Sequence, residues 1–342
     1  MPRNDEELKF MKNIQKTQRA EYDYHLPVLL NESIEYLFNE NIKDKENQIY
    51  IDGTLGGSGH TSIILQKLKF GGKLFAFDKD TSAIKRAYSL FEEEINKPSP
   101  SLYLCNSSFS SVPNILKKYN INIIDGILLD LGVSSMQLDS AQIGISYRIN
   151  CPIDMRFDGD TNKQSAKDIL NTYPEDKLSA IFFKYGEEPK SNIIAGAIAK
   201  ARNIKTIETT FDLRTIIEQC IFNHNKLPIL SRIFQALRIE VNNELAELKD
   251  ALTNIIPLLK SGGRFVVISY HSLEDRIVKD IFKEYSFTPK INKYKFKELQ
   301  NNNTNIVPKI KPLFSKPYVP SKKEIDINPR SRSAKMRVAE RI

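Results

Sequence analysis

Cysteine and histidine are scarce in this chain, and long apolar runs are absent. Three cysteines (Cys105, Cys151, Cys220) and four histidines are scattered over 342 residues. An odd, dispersed cysteine set argues against a disulfide framework and predicts no metal site. No apolar run approaches the roughly 20 residues that a membrane span needs. The opening stretch MPRNDEELKFMKNIQKTQRAEYDYH is charged and lacks the apolar segment of a signal peptide. The expectation is a cytoplasmic protein with no membrane contact.

What is present is ordinary globular composition, with 41% apolar and 27% charged residues. The length suits one large α/β domain with an insertion, or two domains. The net charge of +8 is unevenly placed: from Ile306 to Ile342 there are ten Lys/Arg against three Asp/Glu. A basic tail suits a polyanionic partner such as nucleic acid, or serves solubility.

Five short apolar runs end in acid or glycine: QIYID, GKLFAFD, LYLCN, IDGILLDLGV and GGRFVVISYH. Such runs suit strands buried on both faces of a parallel sheet. Helical patterns alternate with the early ones, in HTSIILQKLK, KDTSAIKRAYSLFEEEI and SSVPNILKKY. The alternation predicts a doubly wound sheet. Between Asp139 and Ser231 no strand is legible, and helices are predicted in SAKDILN, EDKLSAIFFKYG, NIIAGAIAKAR and TFDLRTIIEQCIF. ELAELKDALTNIIPLLKSGG reads as a helix leading back into the last of the five strands. The domain reading is therefore an N-terminal extension over 1–24, a sheet domain over 25–138 and 232–342, and a helical insertion over 139–231. NKYKFKELQNNNTNIVPKIKP reads as a mobile loop. SAKMRVAERI is open to reading as a last strand with alternate cations exposed.

The turn in YIDGTLGGSGH carries Gly53, Gly56, Gly57 and Gly59. Glycines there permit positive φ and close backbone approach to a ligand. No Lys-Ser/Thr follows, so a phosphate loop does not fit. Ser62 stands where a dinucleotide fingerprint needs its last glycine. Asp78 lies 19 residues after Gly59, a spacing at which a carboxylate can take both ribose hydroxyls of an adenosine. With Asp52 ahead of the glycines, S-adenosylmethionine fits: it carries an ammonium and a sulfonium but no phosphate. The competing reading makes Asp78 the cap of a helix starting at Thr81. Asp130, ending the fourth strand, either faces the ligand crevice or caps a turn.

Together these stretches resemble the RsmH (formerly MraW) family of ribosomal RNA small-subunit methyltransferases. HLPVLLNESIEYL, YIDGTLGGSGHT, AFDKD, IDGILLDLGVSSMQLD, PIDMRFD, RIFQALRIEVNNEL, GGRFVVISYHSLEDRIVK and NPRSRSAKMRVAER run in family order from His25 to the C-terminus. The resemblance implies a class I S-adenosylmethionine-dependent methyltransferase fold, Rossmann-like and doubly wound, with an α-helical insertion that recognises substrate. It implies methyl transfer to the exocyclic N4 of a cytidine in the decoding region of 16S ribosomal RNA, within the small subunit. It carries cofactor contacts onto Ser58, Gly59, His60, Asp78, Phe109, Asp130 and Gln137. Asp78 would serve the ribose, Phe109 and Asp130 the adenine side, and His60 the methionine end. Ser58 replaces a usual glycine, with Gly57 expected to supply the flexibility. Met136 stands where proline is common, and Cys151 where glycine is common.

Asp130, Ser134, Asp154 and His271 are candidate acceptors for the amine protons. Asp154 is equally open to an ion pair with Arg156, and His271 to a structural role. Arg232, Arg238, Arg330, Arg332, Lys335 and Arg337 are candidate RNA contacts. For Arg232 and Arg238 the alternative is salt bridging with Glu240 and Glu244. The competing functions are a DNA amino-methyltransferase and a non-catalytic RNA-binding assembly factor; the failed glycine pattern disfavours a nicotinamide dehydrogenase. The sequence does not decide between monomer and dimer.

Overall fold

The computed structural model describes residues 27–41, 46–139, 141, 143–159, 163–222, 225–286 and 309–342. The N-terminal extension expected over 1–24 lies outside the described residues. Helix α1 (Leu30–Leu37) precedes β1 (Ile49–Asp52). There follow α2 (Gly59–Lys67), β2 (Lys73–Asp78), α3 (Thr81–Leu90), β3 (Leu102–Asn106), α4 (Val112–Lys118) and β4 (Ile124–Asp130). After the helical segment come β5 (Leu259–Ser269), β6 (Ile310–Pro312) and β7 (Lys335–Arg341). The sheet order is β3-β2-β1-β4-β5-β7-β6. The first five strands pair in parallel, and β7 is antiparallel to both β5 and β6. This is the expected class I methyltransferase arrangement.

The apolar runs become strands because both of their faces are covered. Ile51, Phe75, Ile127 and Phe265 point into one core, while their neighbours Tyr50, Leu74, Leu128 and Val266 point into the other. Alternation of side chains in a strand sends consecutive residues to opposite faces, so neither face can be polar. In β7, Met336 and Val338 are buried on one face while Lys335 and Arg337 on the other turn toward α11; the segment is the last strand, but Arg337 is mostly covered rather than exposed.

Two strand limits differ from expectation. β5 begins at Leu259, three residues before Gly262, with a register shift against β4 between Ile124 and Gly126. An irregularity of this kind lets a strand continue through glycines that read as a turn. β6 arises from the end of the Asn-rich stretch read as a loop; residues 292–308 of it lie outside the described residues. Three residues suffice there because β7 supplies the pairing.

The helical segment holds α5 (Ala166–Thr172), α6 (Glu175–Gly186), α7 (Ser191–Arg202), α8 (Thr210–Cys220) and α9 (Lys226–Asn242). Ser165 with Asp168, and Thr209 with Asp212, form reciprocal caps at the starts of α5 and α8, satisfying donors that a helix start leaves open. Phe182, Ile194, Leu213, Ile233 and Leu237 belong to one buried cluster in this layer. The division expected at Ser231/Arg232 therefore cuts through α9. The helical core continues to Val241, and the chain turns at Asn243, which has φ 52. Helix α10 (Glu244–Ile255) then packs on the sheet through Leu248, Ala251 and Leu252. Helix α11 (Ser272–Ser286) follows β5, and α12 (Lys322–Ile327) precedes β7.

Candidate active site

Strand order reverses between β1 and β4, and ligands of open α/β sheets sit beyond the carboxyl ends of strands at such a point. Three neighbouring strands end there in aspartate: β2 in Asp78, β1 in Asp52 and β4 in Asp130. A cleft of about 1310 Å³ opens above them, roofed in part by the helical layer through Tyr147, Phe157, Phe234 and Arg238. That exceeds the about 300–1,000 Å³ of typical small-molecule sites, leaving room for a cofactor and a nucleotide together.

Asp52 braces the glycine turn. Its Oδ1 accepts from the Thr54 N–H at 3.1 Å and its Oδ2 from the Thr61 hydroxyl at 2.6 Å. It does not line the cleft. The Thr54 hydroxyl in turn accepts from the Asp130 N–H at 2.6 Å, tying the turn to the end of β4. Glycine is required in this turn for close approach. A Cβ on Gly53 would lie 2.2 Å from Leu129 Cδ2, and one on Gly59 would lie 2.2 Å from Pro27 Cγ. Ser58 itself adopts φ 66, and Gly56 has φ 48; Gly57 is not in the positive-φ region. The flexibility expected of Gly57 is thus supplied by its two neighbours. Ser58 is buried and does not line the cleft, unlike Gly57 and Gly59.

Asp78 is not the cap of α3. That role falls to Asp80, whose side chain accepts from Ser82 N–H. The Asp78 carboxylate faces the turn, with Oδ2 accepting from Gly56 N–H and Oδ1 from Asp80 N–H, each at 2.8 Å. Burial pushes its pKa up to about 6, against the pull of those two amides. Asp130 goes further: burial raises it to about 7, and the Asp52 and Glu274 charges add to the rise. The Tyr270 hydroxyl donates to Asp130 Oδ1 at 2.7 Å and opposes it. His60 Nδ1 lies 3.8 Å from Asp130 Oδ2. Desolvation pushes the His60 imidazole down to about 4, so it is neutral near pH 7. Its buried Nε2 has no hydrogen-bond partner among the described residues, a polar atom that a ligand can satisfy.

The charges lining the cleft select among ligands. Lys79 pairs with Glu247 at 2.7 Å, Arg238 holds Glu244 through two bonds of 2.8 and 2.9 Å, and Arg330 holds Asp139 at 3.0 Å. Among the described residues, Asp78 and Asp130 meet no Lys or Arg. The crevice floor is therefore acidic and offers acceptors without a lysine clamp. It suits a cationic ligand with a ribose diol and disfavours a polyphosphate, which is the donor set S-adenosylmethionine needs.

Gly59, His60, Asp78, Phe109, Asp130 and Gln137 all line this cleft, as do Ser134 and His271. Ser134 and Gln137 are partly committed to each other: the Gln137 side chain accepts from Ser134 N–H at 3.0 Å, and the Ser134 hydroxyl from Gln137 N–H at 3.2 Å. His271 Nε2 stands 3.1 Å from Glu274 Oε1. Burial would raise the Glu274 carboxyl, but His271 and Arg238 hold it below its ordinary value. Asp154 is not at the cleft. Its carboxylate is bound by Arg156, with Nε at 2.8 Å, so the ion-pair reading holds for it.

Of the six basic candidates, Arg238, Arg330 and Arg332 line the cleft. Arg232 instead pairs with the buried Glu188, and Arg337 and Lys335 both face Asp275 on α11. These three form ion pairs and do not line the cleft. Arg148, absent from the sequence-based candidates, lines the cleft beside Tyr147, its guanidinium 5.8 Å from the ring centroid. Arg148 and Arg332 are exposed and form no ion pair among the described residues. Tyr270 and Glu274 were also missed. Glu274 stands three residues after His271, and its side chain reaches back to the N–H groups of Tyr270 at 2.8 Å and His271 at 3.4 Å. That capping spacing was the available signal.

The model of the MraW methylase family matches residues 23–342. The chain belongs to that family. Among curated relatives, family proteins called ribosomal RNA small subunit methyltransferase H are 42% identical in Finegoldia magna, over 93% of this chain and 98% of that one. The Caldicellulosiruptor saccharolyticus protein of that name is 44% identical, over 93% of this chain and 99% of that one. A solved structure described as an rRNA methylase from Streptococcus thermophilus aligns over 92% of this chain and 93% of that chain, at 10% identity and a TM-score of 0.37.

Proposed function

We propose that this MraW-family protein methylates the exocyclic N4 amine of a cytidine in the decoding region of 16S ribosomal RNA, in the cytoplasm, acting on the small ribosomal subunit. The observation that carries the chemistry is the acidic crevice floor, Asp78 and Asp130 without a Lys or Arg partner among the described residues, beneath a cleft with room for a nucleotide. S-adenosylmethionine supplies an electrophilic methyl on a sulfonium when bound. Strand order sets its direction. Phe109 and Asp78, at β3 and β2, take the adenosine end. The glycine turn and His60 take the methionine end. Asp130, beside His60, then belongs near the reacting methyl rather than the adenine side that the resemblance implied.

An exocyclic cytosine amine is a poor nucleophile because its lone pair is delocalised into the ring. Holding it in line supplies much of the acceleration. A fixed acceptor for its protons supplies more. Asp130 is that acceptor: its pKa of about 7 lets it be ionised near neutral pH and take the proton as the nitrogen becomes acidic. The target cytidine must leave any helix to reach the cleft. Arg148 from the helical layer and Arg332 from the segment before β7, which form no ion pair among the described residues, take its flanking phosphates. Tyr147 offers a stacking face.

The test uses radiolabelled S-adenosylmethionine and small subunits lacking base methylation, followed by nucleoside mass analysis. The expected result is N4-methylcytidine at one site, lost in Asp130→Ala. Label on duplex DNA instead would make the protein a DNA amino-methyltransferase. Cofactor binding with no label on any nucleic acid would overturn the substrate reading.

A further inference from the structure

Tyr270 is held at three points. Its N–H donates to Glu274 Oε2 at 2.8 Å, its hydroxyl donates to Asp130 Oδ1 at 2.7 Å, and its ring lies against Gly132, where an added Cβ would meet Cδ2 at 3.4 Å. Among the described residues it gives Asp130 its sole side-chain hydrogen bond. Asp130 Oδ2 accepts none there; His60 Nδ1 stands 3.8 Å from it. One carboxylate oxygen is thus fixed from the β5 side, and the other is left to a ligand in the cleft. The hydroxyl cannot itself be the base, because burial and the Asp130 charge push its ionisation well above the ordinary phenol range.

The groups facing Asp130 come from four elements. His60 on α2 is neutral near pH 7. Asp52 on β1 and Glu274 on α11 both disfavour its charge, and Tyr270, following β5, favours it. We propose that Tyr270 is a positioning residue for methyl transfer, orienting the Asp130 carboxylate so that Oδ2 meets the target amine while remaining ionised. This rests on the methyl-transfer reading above. Nothing is transferred to or from Tyr270: its proton stays on the phenol throughout.

The experiment is the pH profile of kcat/KM for Tyr270→Phe, which keeps the ring and removes the bond. Losing a charge-assisted hydrogen bond should move the acidic limb upward by about one pH unit, an activity loss of about eightfold at pH 6.5 and under about twofold at pH 9. KM for the RNA substrate should not change. In Asp130→Asn, adding Tyr270→Phe should cost nothing further. A loss equal at both pH values, or no loss, overturns the proposal. Calorimetric titration with S-adenosylmethionine separates this from failure of the substrate reading. The cationic cofactor should bind Tyr270→Phe more weakly than wild type at pH 6.5 and equally at pH 9, whatever nucleic acid is methylated. Equal affinity at both would sink the role of Tyr270 alone.

Discussion

Asp130 carries its cost at the scale of a single carboxylate. A folded-state pKa of about 7 lies above the ordinary value. The associated stability is therefore complete below the unfolded pKa, near pH 4, and is lost as pH rises through about 7. Asp130→Asn removes that slope. Without cofactor, its advantage over wild type should be larger at pH 8 than at pH 5, by on the order of 1–3 kcal/mol. Thermal unfolding at both pH values checks this, and parallel curves would refute the burial argument. Cofactor binding should show the reverse trend, tightening as Asp130 ionises between pH 6 and 8. Ser58 gives a second residue-scale test. Its φ of 66 costs an L-residue about 1–2 kcal/mol, part of which glycine returns through the unfolded chain. Ser58→Gly should raise Tm by no more than about 2 °C, and a clear fall would mean that the hydroxyl matters.

At the scale of elements, the largely buried Arg238–Glu244 pair fastens the last turn of α9 to the first of α10, bridging the left-handed Asn243. Removing one partner leaves a buried charge, which costs about 3–5 kcal/mol. Arg238→Ala should lower Tm by about 4–7 °C, whereas replacing both with apolar residues of similar volume should recover most of it. A small drop in the single variant would mean that water reaches Glu244. This junction also explains what the sequence hid. The five parallel strands were legible because burial on both faces leaves continuous apolar runs. The end of the helical layer was not, because the apolar stripe of α9 runs unbroken past Ser231 into the same core. Three-residue β6 has no pattern of its own and exists through β7. The glycine turn, Asp78 and Asp130 were legible from local spacing. Tyr270 was not, since its bond to Asp130 depends on β4 and β5 being neighbours across a long stretch of chain.

For the whole molecule, the two cleft arginines that form no ion pair among the described residues stand apart, Arg148 with the helical layer and Arg332 with the segment before β7. If both hold phosphates, the logarithm of RNA affinity should fall less steeply with the logarithm of salt in Arg148→Gln/Arg332→Gln, by about one unit of slope per arginine. Arg337→Gln, which breaks the Asp275 pair instead, should leave the slope unchanged. Filter binding across a salt series reads all of these, and an unaltered slope in the double variant would remove both arginines from the RNA contact. The pairing of β4 with β5 has a further meaning in time. Asp78, the glycines and Asp130 leave the ribosome long before Leu259 begins the strand that delivers Tyr270. A half-made chain therefore owns the adenosine side of its crevice without the tyrosine that steadies its acid. The tyrosine reaches that acid only once β5 has been made and paired with β4.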